Sequence, residues 1–251
     1  MKTTSINLIG ALGHPLAAQL DEPEHGARAV AIFAHCFTCS KDLPVVRRIA
    51  RTLTQQGFAV LRFDFTGVGQ SAGDFAQSNF SSNIEDLVCA ADWLAENYQA
   101  PALLVGHSLG GTAVLAAAAR IKSVKAVATL GAPSEPAHIT KMFTAVSAEI
   151  ERNGKADVQI GSREFEISQQ FIENAESYSL LSQLSSLHCA LLIFHSPIDT
   201  VVGIHHAAAI FKAAKHPKSF MALDRADHML SNKADAEFVA QILGQWATRH
   251  L

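Results

Sequence analysis

Five residues near the middle of the chain, Gly106-His107-Ser108-Leu109-Gly110, place a serine between two glycines, after the apolar run "LLV" and before the alanine-rich "TAVLAAA". A serine hydroxyl is a weak nucleophile until a neighbouring base takes its proton. The spacing answers a second need, a turn tight enough to thrust the side chain out of a sheet, with glycine on either side where a Cβ would collide. At such a turn the first N–H groups of the following helix lie near the hydroxyl and can bind a developing oxyanion. A glycine-rich turn with serine as an ordinary helix cap is the plainer reading. The apolar run before Ser108 and the helical pattern after it favour a nucleophile.

Activation needs an imidazole, and the imidazole needs a carboxylate. "LLIFHSPIDTVV" puts Asp199 just past an apolar run, and "SFMALDRADHMLSNK" puts His228 in the loop after the last one. Serine, then aspartate, then histidine, each at a strand end, is the order such chemistry uses on a parallel sheet. His228 is expected to take the Ser108 proton and return it to the leaving group, with Asp199 orienting the ring. Asp199 could instead cap the turn before "TVVGIHHA". Asp224 and Asp227 flank His228 as rival acids, but a carboxylate beside a histidine in sequence rarely reaches its far ring nitrogen. His107 is expected beneath the turn, holding it. His205 and His206 are adjacent, so they cannot form the i, i+4 pair of a helical zinc site, and neither metal nor cofactor is expected.

These residues must be positioned by the rest of the 251-residue chain, of which 49% is hydrophobic. That suffices for one large core. A net charge of −3 with no basic run gives no footprint for nucleic acid or an anionic membrane, which leaves a small molecule as the expected partner. From residue 29 onward short apolar runs alternate with longer helical patterns, the signature of an α/β fold with a mostly parallel sheet and helices on both faces. The first twenty residues read as two strands turning at Gly13-His14-Pro15 rather than an export signal, because Asn7, Gly10 and Pro15 break the apolar stretch. No run approaches the ~18 apolar residues of a membrane span.

The alternation lapses between about 135 and 187. "ITKMFTAVSAEIERNG" and "QQFIENAESYSLLSQL" look helical and "DVQIGSREFEI" looks like a hairpin turning at Gly161-Ser162. This insertion is expected to be a small lid on a single domain covering 1–251, with too few apolar residues for a core of its own. Phe143, Phe165 and Phe171 are its candidate substrate contacts.

"AHCFTCSKD", residues 34 to 42, contains a Cys-x-x-Cys, which is a redox or metal signal in some settings. Here it ends the strand before the first long helix, where the second oxyanion donor is needed. The backbone N–H of Phe37 is the expected donor, alongside that of Leu109. Cys36 and Cys39 are then expected as packing thiols, and four cysteines in so long a chain suit a reducing cytoplasm.

Through "AHCFTCSKD", "RFDFTGVGQSAGDF", "GHSLGG", "HSPIDTVV" and "ADHML" the chain resembles the α/β-hydrolase superfamily over essentially its whole length. More narrowly, "FAHCFTCSKD" is similar to the hydrolase half of bacterial proteins in which an α/β-hydrolase is fused to a C-terminal OsmC-like domain. Many relatives read His-Gly-Phe in this loop, so Cys36 departs from the wider pattern. The resemblance implies an α/β-hydrolase fold and serine-dependent carboxylic ester hydrolysis through an acyl-enzyme on Ser108, with short or aromatic acyl groups. With the last helix running to Leu251, an OsmC-like domain is expected to be absent from this chain either by truncation or by nature, and no peroxide chemistry is carried over. A thioesterase, peptidase or acyltransferase on the same three residues is the alternative, followed by a thiol-redox protein or a scaffold. The oligomeric state is left open.

Overall fold

The computed structural model describes residues 1–251. It opens on an antiparallel hairpin of β1 (Lys2–Ile9) and β2 (Pro15–Glu22), paired from Lys2 opposite Glu22 to Ile9 opposite Pro15. Gly13 takes a φ of +77° at the turn. The main body continues with β3 (Ala29–Ala34), α1 (Pro44–Gln55), β4 (Phe58–Phe63), α2 (Phe80–Asn97), β5 (Leu103–His107), α3 (Leu109–Ala118) and β6 (Ala126–Leu130).

After β6 comes the insertion: a 3-10 stretch over Pro136–Val146, α4 (Ser147–Asn153), β7 (Lys155–Ile160), β8 (Arg163–Ser168), α5 (Gln169–Ser177) and α6 (Leu181–Leu184). The chain then returns through β9 (Ala190–His195), α7 (His205–Ala213), β10 (Lys218–Ala222) and α8 (Lys233–Ala247). One eight-stranded sheet results, in the order β1-β2-β4-β3-β5-β6-β9-β10. It is parallel from β4 to β10.

The inner strands are buried on both faces, as every residue of β3, β4, β5, β6 and β9 shows. This explains their continuous apolar runs. Helices α2, α3 and α7 cover one face through Leu87, Val114 and Ile210. Helices α1 and α8 cover the other through Ile49, Leu53, Val239 and Leu243. Such a doubly wound sheet gathers its loops at the carboxyl ends of the strands, and Ser108, Asp199 and His228 all lie in those loops.

The insertion differs from its expected form in three ways. The first predicted helix splits into the 3-10 stretch and α4, which stops on Gly154 in the left-handed conformation, φ +76°. The second breaks at Tyr178, leaving α5 and the single turn of α6. The insertion also has a small core after all: Ile139, Phe143, Ile150, Phe165, Ile167 and Phe171 are buried together, with Phe37 and Phe75 of the main body packed against them. The hairpin turn at Gly161 matches, with φ +63°.

Candidate active site

Ser108 follows β5 directly and precedes α3 with φ +54° and ψ −126°, a conformation that costs a non-glycine residue of order 1–3 kcal/mol. The turn is locked from several sides. The Ser108 N–H donates to the Leu130 carbonyl at 2.8 Å, and Thr112 Oγ1 donates to the Pro133 carbonyl at 2.8 Å. A Cβ on Gly106 would lie 2.3 Å from the Gly110 carbonyl oxygen, and one on Gly110 would lie 2.3 Å from the His35 carbonyl oxygen. Both glycines are therefore demanded by backbone approach, as the motif's spacing implies.

Ser108 Oγ lies 3.0 Å from His228 Nε2, and His228 Nδ1 lies 2.7 Å from Asp199 Oδ2. The carboxylate fixes the tautomer, because Nδ1–H must donate to it and Nε2 is left to accept the serine proton. Asp199 Oδ1 accepts the N–H groups of Val201 and Val202, both at 2.8 Å. Burial pushes the Asp199 carboxyl up, but the His228 hydrogen bond and the Val202 and Val201 N–H groups outweigh it and hold the pKa below the usual range. The aspartate is thus an anion facing an imidazole. Of its two rivals, Asp227 accepts the Ser231 N–H at 2.8 Å, and neither Asp227 nor Asp224 bonds the ring.

Two further histidines brace this relay. His107 Nε2–H donates to the His228 carbonyl at 2.8 Å, beneath the turn as expected, and His195 Nε2–H donates to the Val202 carbonyl at 2.7 Å. Burial, with the nearby His228 second, lowers the His107 pKa to about 4. The unfolded chain therefore binds a proton between pH 6.5 and 4 that the folded chain refuses, so stability falls as pH drops through that window. The loss should approach about 3 kcal/mol by pH 4. Urea midpoints measured across pH 4–7 should show this slope, and His107→Gln, which keeps a donor but cannot titrate, should reduce it, leaving the share of His206, whose pKa burial also lowers to about 4.

The loop opposite Ser108 is held as firmly. The Cys39 N–H donates to the Cys36 carbonyl at 3.1 Å, closing a turn over Phe37 and Thr38, with Thr38 at φ +56°. The Phe37 N–H has no hydrogen-bond partner inside the protein, and the Leu109 N–H heads α3, where no carbonyl one turn back is available to it. Both expected oxyanion donors are thus free to bind a ligand. The expectation of packing thiols is corrected here: Cys36 and Cys39 form a disulfide, while Cys89 and Cys189 are free. The tight turn brings the two Cα atoms to 5.3 Å, inside the range a disulfide spans.

Several contributors carry no motif of their own. Asp64, fully buried after β4, accepts the Lys41 N–H at 2.6 Å, Lys41 Nζ at 2.8 Å and the Gln70 N–H at 2.9 Å. It ties the cysteine loop to the glycine-rich "TGVGQS" loop, whose Gly69 has no room for a Cβ against the Asp64 carboxylate. From the insertion, Arg163 donates to the Thr38 carbonyl at 2.5 Å, and His138 Nε2–H donates to the Val201 carbonyl at 2.9 Å. The insertion therefore grips both the cysteine loop and the loop after β9 that carries Asp199. The buried Lys-Asp pair was foreseeable only as polar residues beside strand ends.

Two clefts meet at Ser108. The smaller, about 200 Å³, is walled by Leu109, Pro133, Ile139, Met142, Val201 and Val202, together with His138 and Lys141. The larger, about 650 Å³, runs from Ser108 and His228 past Phe37 and Cys39 to Asp42 and Leu43. Phe143, Phe165 and Phe171, expected to touch substrate, line neither cleft. They are sealed inside the insertion's core, where Phe143 and Phe171 stack around Phe37 at centroid distances of 6.0 and 5.4 Å. Their aromaticity reflects packing, and Met142 and Ile139 occupy the place assigned to them.

The family model described as "Serine aminopeptidase, S33" matches residues 27–178, more than half of the chain. The chain belongs to that family. As an S33-type α/β hydrolase it is also 48% identical to the crystal structure of the esterase domain of a Rhodothermus marinus protein, with TM-score 0.81 over 100% of this chain and 99% of that one. Among curated proteins it is 27% identical over 191 residues to the human mitochondrial palmitoyl-protein thioesterase ABHD10, covering 73% of this chain. The chain spans about 61% of the length of that relative. Est1E from Butyrivibrio proteoclasticus, solved with ferulic acid, shares the fold at TM-score 0.79 and 20% identity, over 97% of this chain and 98% of that one.

Proposed function

We propose that this S33-type hydrolase cleaves carboxylic esters of short or aromatic acyl groups through an acyl-enzyme on Ser108. The reading is carried by the relay from Ser108 Oγ to His228 to Asp199, at 3.0 and 2.7 Å, with the Phe37 and Leu109 N–H groups unpartnered inside the protein. His228 accepts the Ser108 proton as Oγ attacks the acyl carbon, and the N–H groups of Phe37 and Leu109 bind the oxyanion. His228 then protonates the leaving oxygen or sulfur. Water repeats the sequence on the acyl-enzyme, releasing the acid and restoring the serine. No redox partner is required, and Cys36 heads no helix, which argues against a thioredoxin-like role.

The small cleft is the acyl pocket in this reading, and its volume lies below the ~300–1,000 Å³ of ordinary ligand sites. The insertion acts as a lid, its Met142 and Ile139 forming the wall of that pocket. Hydrolysis of nitrophenyl esters should peak at short or single-ring acyl groups and fall as the chain lengthens. A preference for long acyl chains would contradict the assignment. Met142→Ala should open the pocket and shift the optimum to longer chains, by about tenfold in relative kcat/KM for one or two methylenes.

Thioester hydrolysis is the second reading, favoured by the thioesterase relatives, and the same residues would perform it. A cytoplasmic location belongs to the proposal as well. The free thiols of Cys89 and Cys189 agree with it and the Cys36–Cys39 disulfide speaks against it, and recovery of the protein in an exported or organellar fraction would overturn it. No helix is long and apolar enough to cross a membrane. Membership of a longer protein carrying an OsmC-like domain remains a proposal of the sequence resemblance, and a small-molecule ester is the proposed partner.

A further inference from the structure

On the outer side of the main body lies a polar groove of about 940 Å³, formed by one face of α1 against Thr3, Gln19, Asp21 and Arg62 on one face of β1, β2 and β4. Its cations outnumber what its own acids use. Asp21 and Asp42 are both engaged by Arg62, at 2.7 and 2.8 Å, and Glu24 pairs with the N-terminal amine at 2.7 Å. Arg47, Arg48 and Arg51 line the same groove with no carboxylate partner.

Helix stability does not account for these three arginines. Arg47 closes the first turn of α1, where the helix dipole mildly disfavours a cation. Arg47 and Arg51 form a like-charged i, i+4 pair, which is mildly destabilising, and α1 contains no acidic residue to offset them. In a chain of net charge −3, such a cluster in a concave site is suited to an anionic ligand, and arginine forks match phosphate oxygens.

The groove borders the cleft of the reaction centre at one residue. Asp42 lines both it and the cleft that starts at Ser108, and α1 begins two residues later at Pro44. Along α1 the arginines then span about one turn, ~6 Å. A substrate whose acyl group enters the small pocket would therefore pass its leaving group over Cys39 and Asp42 toward guanidinium groups.

We propose that this groove binds the phosphates of a coenzyme-A-type leaving group, so that short acyl thioesters of a nucleotide-bearing thiol are substrates. The inference rests on the Ser108 hydrolase reading. Ser108 Oγ forms the new C–O bond and the C–S bond breaks. The thiolate takes the proton held by His228, and water then releases the carboxylic acid from Ser108.

The test compares acetyl-coenzyme A with acetyl-N-acetylcysteamine, which has the same thioester without phosphates, on wild type and on the Arg47→Gln/Arg48→Gln/Arg51→Gln variant. Wild type should favour the coenzyme A ester by about tenfold or more in kcat/KM at low salt, and the variant should lose that preference. Equal kcat/KM for the two esters in wild type, or a variant that keeps the preference, would overturn the proposal. Calorimetric binding of adenosine 3′,5′-bisphosphate to Ser108→Ala reads the groove without turnover: binding abolished by the three substitutions supports the site, and no binding overturns it. Failure of both thioesters with no acylation of Ser108, while the bisphosphate still binds, would place the fault in the hydrolase reading instead.

Discussion

Ser108→Ala should lower ester hydrolysis by about 10⁴–10⁶-fold in kcat with little change in KM, measured on a short nitrophenyl ester. The hydroxyl is the atom that bonds to the acyl carbon, and His228 Nε2 at 3.0 Å has no other proton to take from the protein. The substitution leaves the backbone of the turn in place, because Ser108 makes no side-chain contact with α3 that caps the helix. Asp199→Asn should cost almost as much, about 10⁴-fold. An asparagine can present an N–H to His228 Nδ1 and so favour the wrong tautomer, with the Nε2 proton directed at Ser108. It would also remove the anion that the Val201 and Val202 N–H groups stabilise at 2.8 Å. The two losses should not add, since serine, imidazole and carboxylate act as one unit.

Gly110→Val should prevent stable folding rather than impair chemistry. A Cβ at residue 110 would stand 2.3 Å from the His35 carbonyl oxygen and 2.5 Å from that of Ala34. Both are backbone atoms at the end of β3, which pairs with β4 and β5 inside the sheet. Neither can swing aside as a flexible side chain could. Relief requires α3 to lift away from β3, exposing Val114, Ala117 and their neighbours, all buried. The cost should be about 3–5 kcal/mol, a large share of a domain's ~5–15 kcal/mol total stability. Denaturant midpoints, or recovery in the soluble fraction, would register it. Gly154→Ala makes a useful contrast: nothing lies within 4 Å of a Cβ there, so only the cost of a φ of +76° should appear.

Much of the site could be read before the fold was known, and the reasons are specific. Ser108 is announced by flanking glycines because backbone approach forbids any other residue there. Asp199 and His228 are found by order and by their place after apolar strands, since a parallel sheet delivers its loops to one edge. The second oxyanion donor was legible only as a position, because a backbone N–H carries no side-chain identity. What sequence could not reveal depends on contacts between distant segments. The Asp64 and Lys41 pairing joins residues 23 apart, and Arg163 reaches Thr38 across 125 positions. The same limit produced the errors. Phe143, Phe165 and Phe171 have the composition of pocket walls, but aromatic residues serve a small core equally well, and only packing around Phe37 decides between the two. The disulfide is not legible in the sequence, because spacing alone does not tell an open turn from one that brings Cys36 and Cys39 together.

The central claim, that Ser108 is an activated nucleophile, is tested most directly by treating wild type and Ser108→Ala with a fluorophosphonate and reading intact mass. A single phosphonyl adduct on wild type, mapped to the peptide containing Ser108 and absent from the folded variant, is the result this account predicts. A folded wild-type protein that takes up no adduct, or one labelled equally in the variant, would contradict it.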